Sequence, residues 1–413
     1  MVEFLKLVTP EVAKDYFYSF VDKFENKTEI IETKCALGRV VALPIIASEN
    51  IPAFPRSTVD GFAVLSKDTF GVSENLPGLF KVIGEVVMGQ PAEIEIRSGE
   101  AAVIHTGGML PKGADAVVMI ENSQLTFPGE IEIMKSVGHN ENVILTGEDV
   151  KEGVEVFTQG TLLRPGDIGA LMSLGITKLS VFKLPRVGIV SSGDEIVDPE
   201  QKINVGQVRD INSYCLSALV QSHGGIPNRY GIVPDDKKKL TEVMKTAFVE
   251  NDLIIVTAGS SASVRDLTAE VIDTIGKPGV LVHGVNVKPG KPTILAICDG
   301  KPIIGLPGNP VSAYVIASIF VVPLLRKIRG EKYFEKRQKL KGILTINVAS
   351  LAGREDWIPV IVQEDMESGI KTIEPIFYKS NLIFSIIRAD GFLRIPPDIT
   401  GYSARTEVEI ILI

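Results

Sequence analysis

The chain has 413 residues, 45% hydrophobic and 23% charged, with 43 Lys and Arg against 51 Asp and Glu for a net charge of −8. At about 150 residues per domain this length predicts roughly three globular domains, and the composition excludes a disordered or fibrous chain. The acidic balance excludes a basic nucleic-acid footprint. Cys35, Cys215 and Cys298 stand singly, which excludes a disulfide framework and a thiolate zinc site and points to a reducing, cytoplasmic setting.

Met1 to Lys6 does not read as a signal peptide. Thr9-Pro10-Glu11 reads as a cap with proline at the first helical position, and Val12, Tyr16, Phe17 and Phe20 follow at helical spacing. From Val41 to about Ile133 the texture is short β segments broken by Gly and Pro, among them Leu79 to Val87, Ala101 to Ile104 and Ala116 to Ile120. Gly166 to Leu174 predicts a short helix.

Strand and helix then alternate. Val187 to Val190 is an apolar strand leading into Ser191-Ser192-Gly193-Asp194-Glu195, with a helix from Ser213 to His223. Tyr230 to Val233 leads into Pro234-Asp235-Asp236 and a helix from Lys237 to Phe248. Leu253 to Val256 opens into Thr257-Ala258-Gly259-Ser260-Ser261 and a helix to Ile275. Val285 to Val287 leads into Lys288-Pro289-Gly290-Lys291-Pro292, and Pro302 to Leu306 into Pro307-Gly308-Asn309-Pro310. Apolar strands in this alternation predict a parallel sheet covered on both faces. Pro302 to Leu325 carries no charge, but the Pro-Gly-Asn-Pro turn interrupts it, so a buried strand and a core helix fit better than a membrane span. A charged connector, Glu331 to Lys341, leads to alternating β segments with Pro375, Pro396 and Pro397, expected as a small β domain.

In open α/β sheets ligands bind beyond the carboxyl ends of the strands. There, five loops rich in Gly, Ser, Asp, Lys and Asn offer N–H groups and helix N-termini for an oxyanion or phosphate. Lys288 and Lys291 add cations. Asp194, Glu195, Asp235, Asp236 and Asp266 add carboxylates suited to Mg²⁺. Together these predict a phosphorylated ligand with a divalent metal. A turn or cap role for each loop stays open, above all for Asp235-Asp236 ahead of a helix. Gly290-Lys291 is not a Walker A loop, no GxGxxG follows a strand, and His105, His139, His223 and His283 lie singly as structural or surface residues.

Several segments together resemble the molybdopterin molybdenumtransferases of the MoeA/gephyrin E-domain type. They are Pro52 to Val64 (with Arg56-Ser57-Thr58-Val59-Asp60-Gly61), His105-Thr106-Gly107-Gly108, Pro111-Lys112-Gly113-Ala114-Asp115 and Gly147-Glu148-Asp149. They continue with Ser192 to Glu195, Lys288 to Pro292, Leu306-Pro307-Gly308-Asn309-Pro310-Val311-Ser312-Ala313, Ala389-Asp390-Gly391 and Ile395-Pro396. The resemblance runs along nearly the whole chain in order.

It implies an elongated α/β multidomain protein. Residues 1–43 with 141–181 would form a split N-terminal α+β dimerisation region, and 44–140 a β-rich insert. Residues 182–330 would be a three-layer, MogA-like α/β domain binding molybdopterin, and 331–413 a β-barrel-like domain. It implies Mg²⁺-dependent insertion of molybdate into adenylylated molybdopterin with release of AMP. The site would be shared across a homodimer, with the molybdopterin adenylyltransferase and acceptor molybdoenzymes as further partners. Residue by residue, it implies that Asp60 and Thr106 act from the second subunit, that Lys288 and Lys291 neutralise the anion, and that Glu195, Asp235 and Asp266 orient the pterin or hold Mg²⁺. Ser192, Gly193, Asp194, Gly259, Ser260, Ser261, Pro307, Gly308, Asn309, Pro310 and Ser312 would bind the pterin ligand, and Arg354 and Ser380 the molybdate.

The pattern is broken at the loop from Thr257 to Asp266, where Ser hydroxyls and Arg265 replace a Gly-Gly-Val-Ser-type sequence. Ile144 stands where an Arg usually precedes Gly-Glu-Asp, and Arg56 replaces an uncharged residue and is expected to compensate. These breaks leave molybdate or tungstate open as the oxyanion. A non-catalytic cofactor-binding paralogue, a scaffold, and the adenylyltransferase of the same pathway are the competing readings.

Overall fold

Near-continuous apolar runs in the middle of the chain build a six-stranded sheet from β1 (Arg186–Ser192), β2 (Ile226–Val233), β3 (Leu253–Ala258), β4 (Pro278–His283), β5 (Ile294–Cys298) and β6 (Lys301–Pro307). The computed structural model describes residues 7–21, 26–258 and 262–413, apart from the side chains of 262–266. The spatial order is β2-β1-β3-β6-β5-β4. β2, β1, β3 and β6 run parallel as expected, but β5 is antiparallel to both neighbours, so the sheet is mixed. The reversal comes from a two-residue turn, Asp299-Gly300, with φ of 46° and 83°. Asp-Gly suits such a turn because it places both residues in the left-handed region, where glycine pays no steric cost.

Helices cover both faces. Lys237–Glu250 and Ala262–Ile275 bury Leu240, Met244, Ala247, Val271 and Ile272 against one. Asn212–Ser222 and the apolar stretch 310–328 pack on the other. That stretch, Pro310–Ile328, is long and apolar enough to cross a membrane, but most of it is buried inside the fold, as expected for a core helix. Its middle turn, Ala317–Val321, is π-helical.

The N-terminal helix, Pro10–Val21, departs from expectation. It buries Ala13, Phe17, Tyr18 and Val21 in the core of the α/β domain and packs on β4 and β5, instead of joining the split region. The apolar stripe that marks it as a helix does not say which sheet it covers. The split region itself pairs Thr28–Glu32 with Lys178–Phe182 around Ala36, Val41, Leu163, Leu171 and Val181. The inserted β-rich region forms its own six-stranded sheet, with Phe62, Val64, Phe80, Val118, Ile131 and Ile133 in its core.

At the C-terminal end, five strands close into a ring: Lys339–Leu344, Glu355–Glu364, Lys371–Pro375, Gly391–Ile395 and Glu407–Leu412. Leu344, Val360, Ile373, Leu393 and Ile410 fill it. The segment before the lysine loop is not a strand of the central sheet. Val287–Lys288 pairs in parallel with Glu355–Glu364 of the barrel, Lys288 opposite Asp356.

Candidate active site

The loop Lys288 to Pro292 lies against the first turns of the core helix. Gly290 sits at φ 117°, and a Cβ there would come within 2.3 Å of Ile316 Cγ1, so only glycine allows the approach. Thr293 Oγ1 donates to Gly290 O at 2.7 Å and fixes the turn. Pro289 and Gly290 are thereby buried, while Lys288 and Lys291 on either side project outward and have no ion-pair partner among the described residues.

Opposite them stands the barrel. A cavity of about 440 Å³ opens between the two, lined by Lys288, Lys291, Asn309 and Ser312 from the α/β domain and Arg354, Asp356, Tyr378 and Ser380 from the barrel. Ser380 ties the halves together: its carbonyl accepts from Val311 N at 3.1 Å and its hydroxyl from Asn309 Nδ2 at 3.1 Å. Asn212 Nδ2 holds the same turn by donating to Gly308 O at 2.7 Å. Arg354 donates from Nε and Nη2 to the two carboxylate oxygens of buried Asp356, at 2.7 and 2.9 Å. Burial, with Asp356 nearby, pushes the Tyr378 hydroxyl well above its ordinary pKa, so it stays protonated and donates to Trp357 O at 3.1 Å.

The Pro307 to Pro310 turn does not present a row of open N–H groups. The two prolines have none and Val311 N–H is taken by Ser380, leaving Gly308, Asn309 and Ser312 as its donors.

At the carboxyl ends of β1 and β2 the polar groups also bond to one another. Ser192 Oγ donates to Asp235 Oδ1 at 2.9 Å, Gly193 N to Val233 O at 3.2 Å, and Asp235 N to Asp194 Oδ1 at 3.2 Å. Asp236 is a helix cap, accepting from Lys239 N at 2.9 Å, which lowers its pKa. Beneath them lies Asp210, 5% exposed, which accepts from Ser191 Oγ and Ser213 N, each at 3.0 Å. Gly259, Ser260 and Ser261 lie outside the described residues, as does the side chain of Asp266.

Of the expected trio Glu195, Asp235 and Asp266, the third side chain lies outside the described residues. Among the described residues no three His, Cys, Asp or Glu side chains form a metal-holding group. Mg²⁺ usually keeps several waters and takes one or two carboxylates plus ligand phosphates. Exposed Asp194 and Glu195 beside half-buried Asp235 fit that more open donor set.

Asp60 and Thr106 meet in the inserted domain, not at this cavity. Asp60 Oδ1 accepts from Thr106 N at 2.7 Å and Thr106 Oγ1 at 3.2 Å, and these bonds hold its carboxyl below the usual range. His105 Nε2 bonds Glu85 Oε1 at 3.0 Å, which raises the imidazole pKa. Nearby, the short strands Arg56–Ser57 and Val143–Ile144 pair with Arg56 directly opposite Ile144.

Sequence reading missed Asp210, Asp356 and Tyr378. Asp356 had a signal, since Arg354-x-Asp356 at strand spacing puts both side chains on one face. Asp210 had none.

Fold and cavity define a multidomain protein whose α/β domain and barrel share a cationic site. The chain matches the MoeA N-terminal region (domain I and II) over residues 7–175, a probable molybdopterin binding domain over 188–327, and the MoeA C-terminal region (domain IV) over 341–413. It is 38% identical over 403 residues to a molybdopterin biosynthesis protein of Methanocaldococcus jannaschii, covering 95% of this chain and 93% of that one. It is 31% identical to the molybdopterin molybdenumtransferase of Haemophilus influenzae, covering 94% of each. A solved MoeA protein of Pyrococcus horikoshii superposes with a TM-score of 0.84 at 33% identity, over 99% of this chain and 100% of that one. The chain belongs to the MoeA family of molybdenum cofactor biosynthesis.

Proposed function

We propose that this chain is a molybdopterin molybdenumtransferase, inserting molybdate into adenylylated molybdopterin with release of AMP. The observation that carries this reading is the convergence of Lys288, Lys291, Arg354, Asn309, Ser312 and Ser380 on one cavity. Cations and hydroxyl or amide donors on several sides of a small space are what a tetrahedral oxyanion requires. The lysines neutralise it as point charges; Arg354, Asn309 and the two serines give direction.

Asp60 and Thr106, which meet in the inserted domain, would serve the site of a second copy in a homodimer. Mg²⁺, held by Glu195, Asp235 and ligand phosphate oxygens with Asp266, would draw negative charge from those phosphates. Three free cysteines, Cys298 among them buried, suit a reducing cytoplasm. The molybdopterin adenylyltransferase would supply the substrate and molybdoenzymes would take the product.

Purified protein with adenylylated molybdopterin, Mg²⁺ and molybdate should release AMP in a molybdate-dependent manner. Release equal to that of a Lys288→Ala plus Lys291→Ala control would overturn the proposal. Separate titrations with molybdate and tungstate assign the oxyanion.

A further inference from the structure

Four charged side chains line the cavity: Lys288, Lys291, Arg354 and Asp356. The last is out of place in a site for an anion. Asp356 is 2% exposed, and at cavity range a fixed negative charge repels an oxyanion. We infer that Asp356 is the positioning residue of the oxyanion site, holding Arg354 in its binding orientation. This inference rests on the proposed reading of the cavity as an oxyanion site.

Arg354 has several rotatable bonds and is only partly buried, so left alone it would spread over many rotamers and lose that freedom on binding. The two-point bond from Nε and Nη2 to the carboxylate removes that freedom beforehand. It also leaves Nη1 and the second Nη2 hydrogen as the remaining donors. Asp356 sits opposite Lys288 in the strand pairing, and Glu355 N donates to Asn286 O at 3.1 Å beside it. One short stretch of barrel strand therefore sets both the lysine backbone and the arginine fork. The charge count agrees: three cations against one carboxylate leave two net positive charges, the complement of a tetrahedral dianion such as molybdate or tungstate.

The sign of one substitution separates positioning from charge. Asp356→Asn adds a net positive charge, so Coulomb's law alone predicts tighter dianion binding. Loss of the clamp predicts weaker binding, by about 10-fold, the size of one charge-assisted hydrogen bond.

The experiment is calorimetric titration of the full chain with tungstate, for the unsubstituted protein, Asp356→Asn, Arg354→Gln and the double variant. The expected result is a loss of about 10-fold in Asp356→Asn, and a change under about 2-fold when the same substitution is made on Arg354→Gln, because Asp356 acts through that side chain. Perrhenate, a tetrahedral monoanion, should lose less than tungstate. Asp356→Glu keeps the charge and shifts the carboxylate by one methylene, so it too should weaken tungstate, and it stands in if the Asn variant does not fold. Emission of Trp357, the single tryptophan and the next residue in the chain, reports local integrity. Tighter tungstate binding in Asp356→Asn, or an equal loss with and without Arg354, overturns the inference. If tungstate binding survives Lys288→Gln plus Lys291→Gln, the cavity reading itself falls; if it is lost there while Asp356→Asn tightens, only the clamp falls.

Discussion

Thr106 donates two hydrogen bonds, backbone and hydroxyl, to a single carboxylate oxygen of Asp60. Both favour the ionised carboxyl, so Asp60 keeps its charge to lower pH than a free aspartate. Thr106→Val deletes the hydroxyl and spares the backbone N–H, and should raise the Asp60 pKa part of the way back, measurable by NMR. Asp60→Asn should lower molybdate-dependent AMP release by about 100-fold, within the range for loss of a catalytic acid or base, with little change in the unfolding midpoint.

The neighbouring imidazole responds in the opposite direction. Glu85 favours protonated His105, so its folded pKa lies above the ordinary value. Any stabilisation from the pair is present at low pH and fades as pH rises through that raised pKa. Glu85→Gln should lower the His105 pKa in an NMR titration, and an unchanged pKa would remove Glu85 as the cause.

Lys291 is exposed and has no ion-pair partner among the described residues, so its charge is available to a ligand at little structural cost. Lys291→Gln should raise the KM for molybdate about 10-fold, as loss of one charged contact implies, and leave the thermal midpoint within about 1 °C.

Gly290→Ala should behave differently. Its methyl would meet Ile316 Cγ1 at 2.3 Å, at a backbone angle of 117° that side chains avoid. A cost of about 1–3 kcal/mol follows from overpacking, seen as a lowered unfolding midpoint together with reduced oxyanion binding.

Arg56 and Ile144 face each other across a strand pair, so a cation placed at either position occupies nearly the same spot. Arg56→Ala should reduce activity several-fold. The exchange Arg56→Ile with Ile144→Arg should restore most of it, and failure of that exchange would show that the position, not the cation, matters.

Much of this was legible in the chain. Apolar runs ending in polar loops marked the edge of the α/β sheet, and Arg354 and Ser380, far apart in sequence, do line the cavity with the lysines. What periodicity could not supply was partnership. Val285 to Val287 reads as one more strand of the central sheet because local pattern does not say which edge a strand completes. The Pro10–Val21 helix shows its apolar stripe but not the surface it covers. Asp299-Gly300 is a hairpin signal in the sequence, and it turns β5 antiparallel to β6. Asp210 is a buried carboxylate held by Ser191 and Ser213, and nothing in a linear string marks such a group.

Val287–Lys288 belongs by chain to the α/β domain and by hydrogen bonding to the barrel. Severing the connector between them would therefore not yield two independent modules. The α/β half would keep its lysines on an unsupported ribbon, and the barrel would keep Arg354 facing solvent.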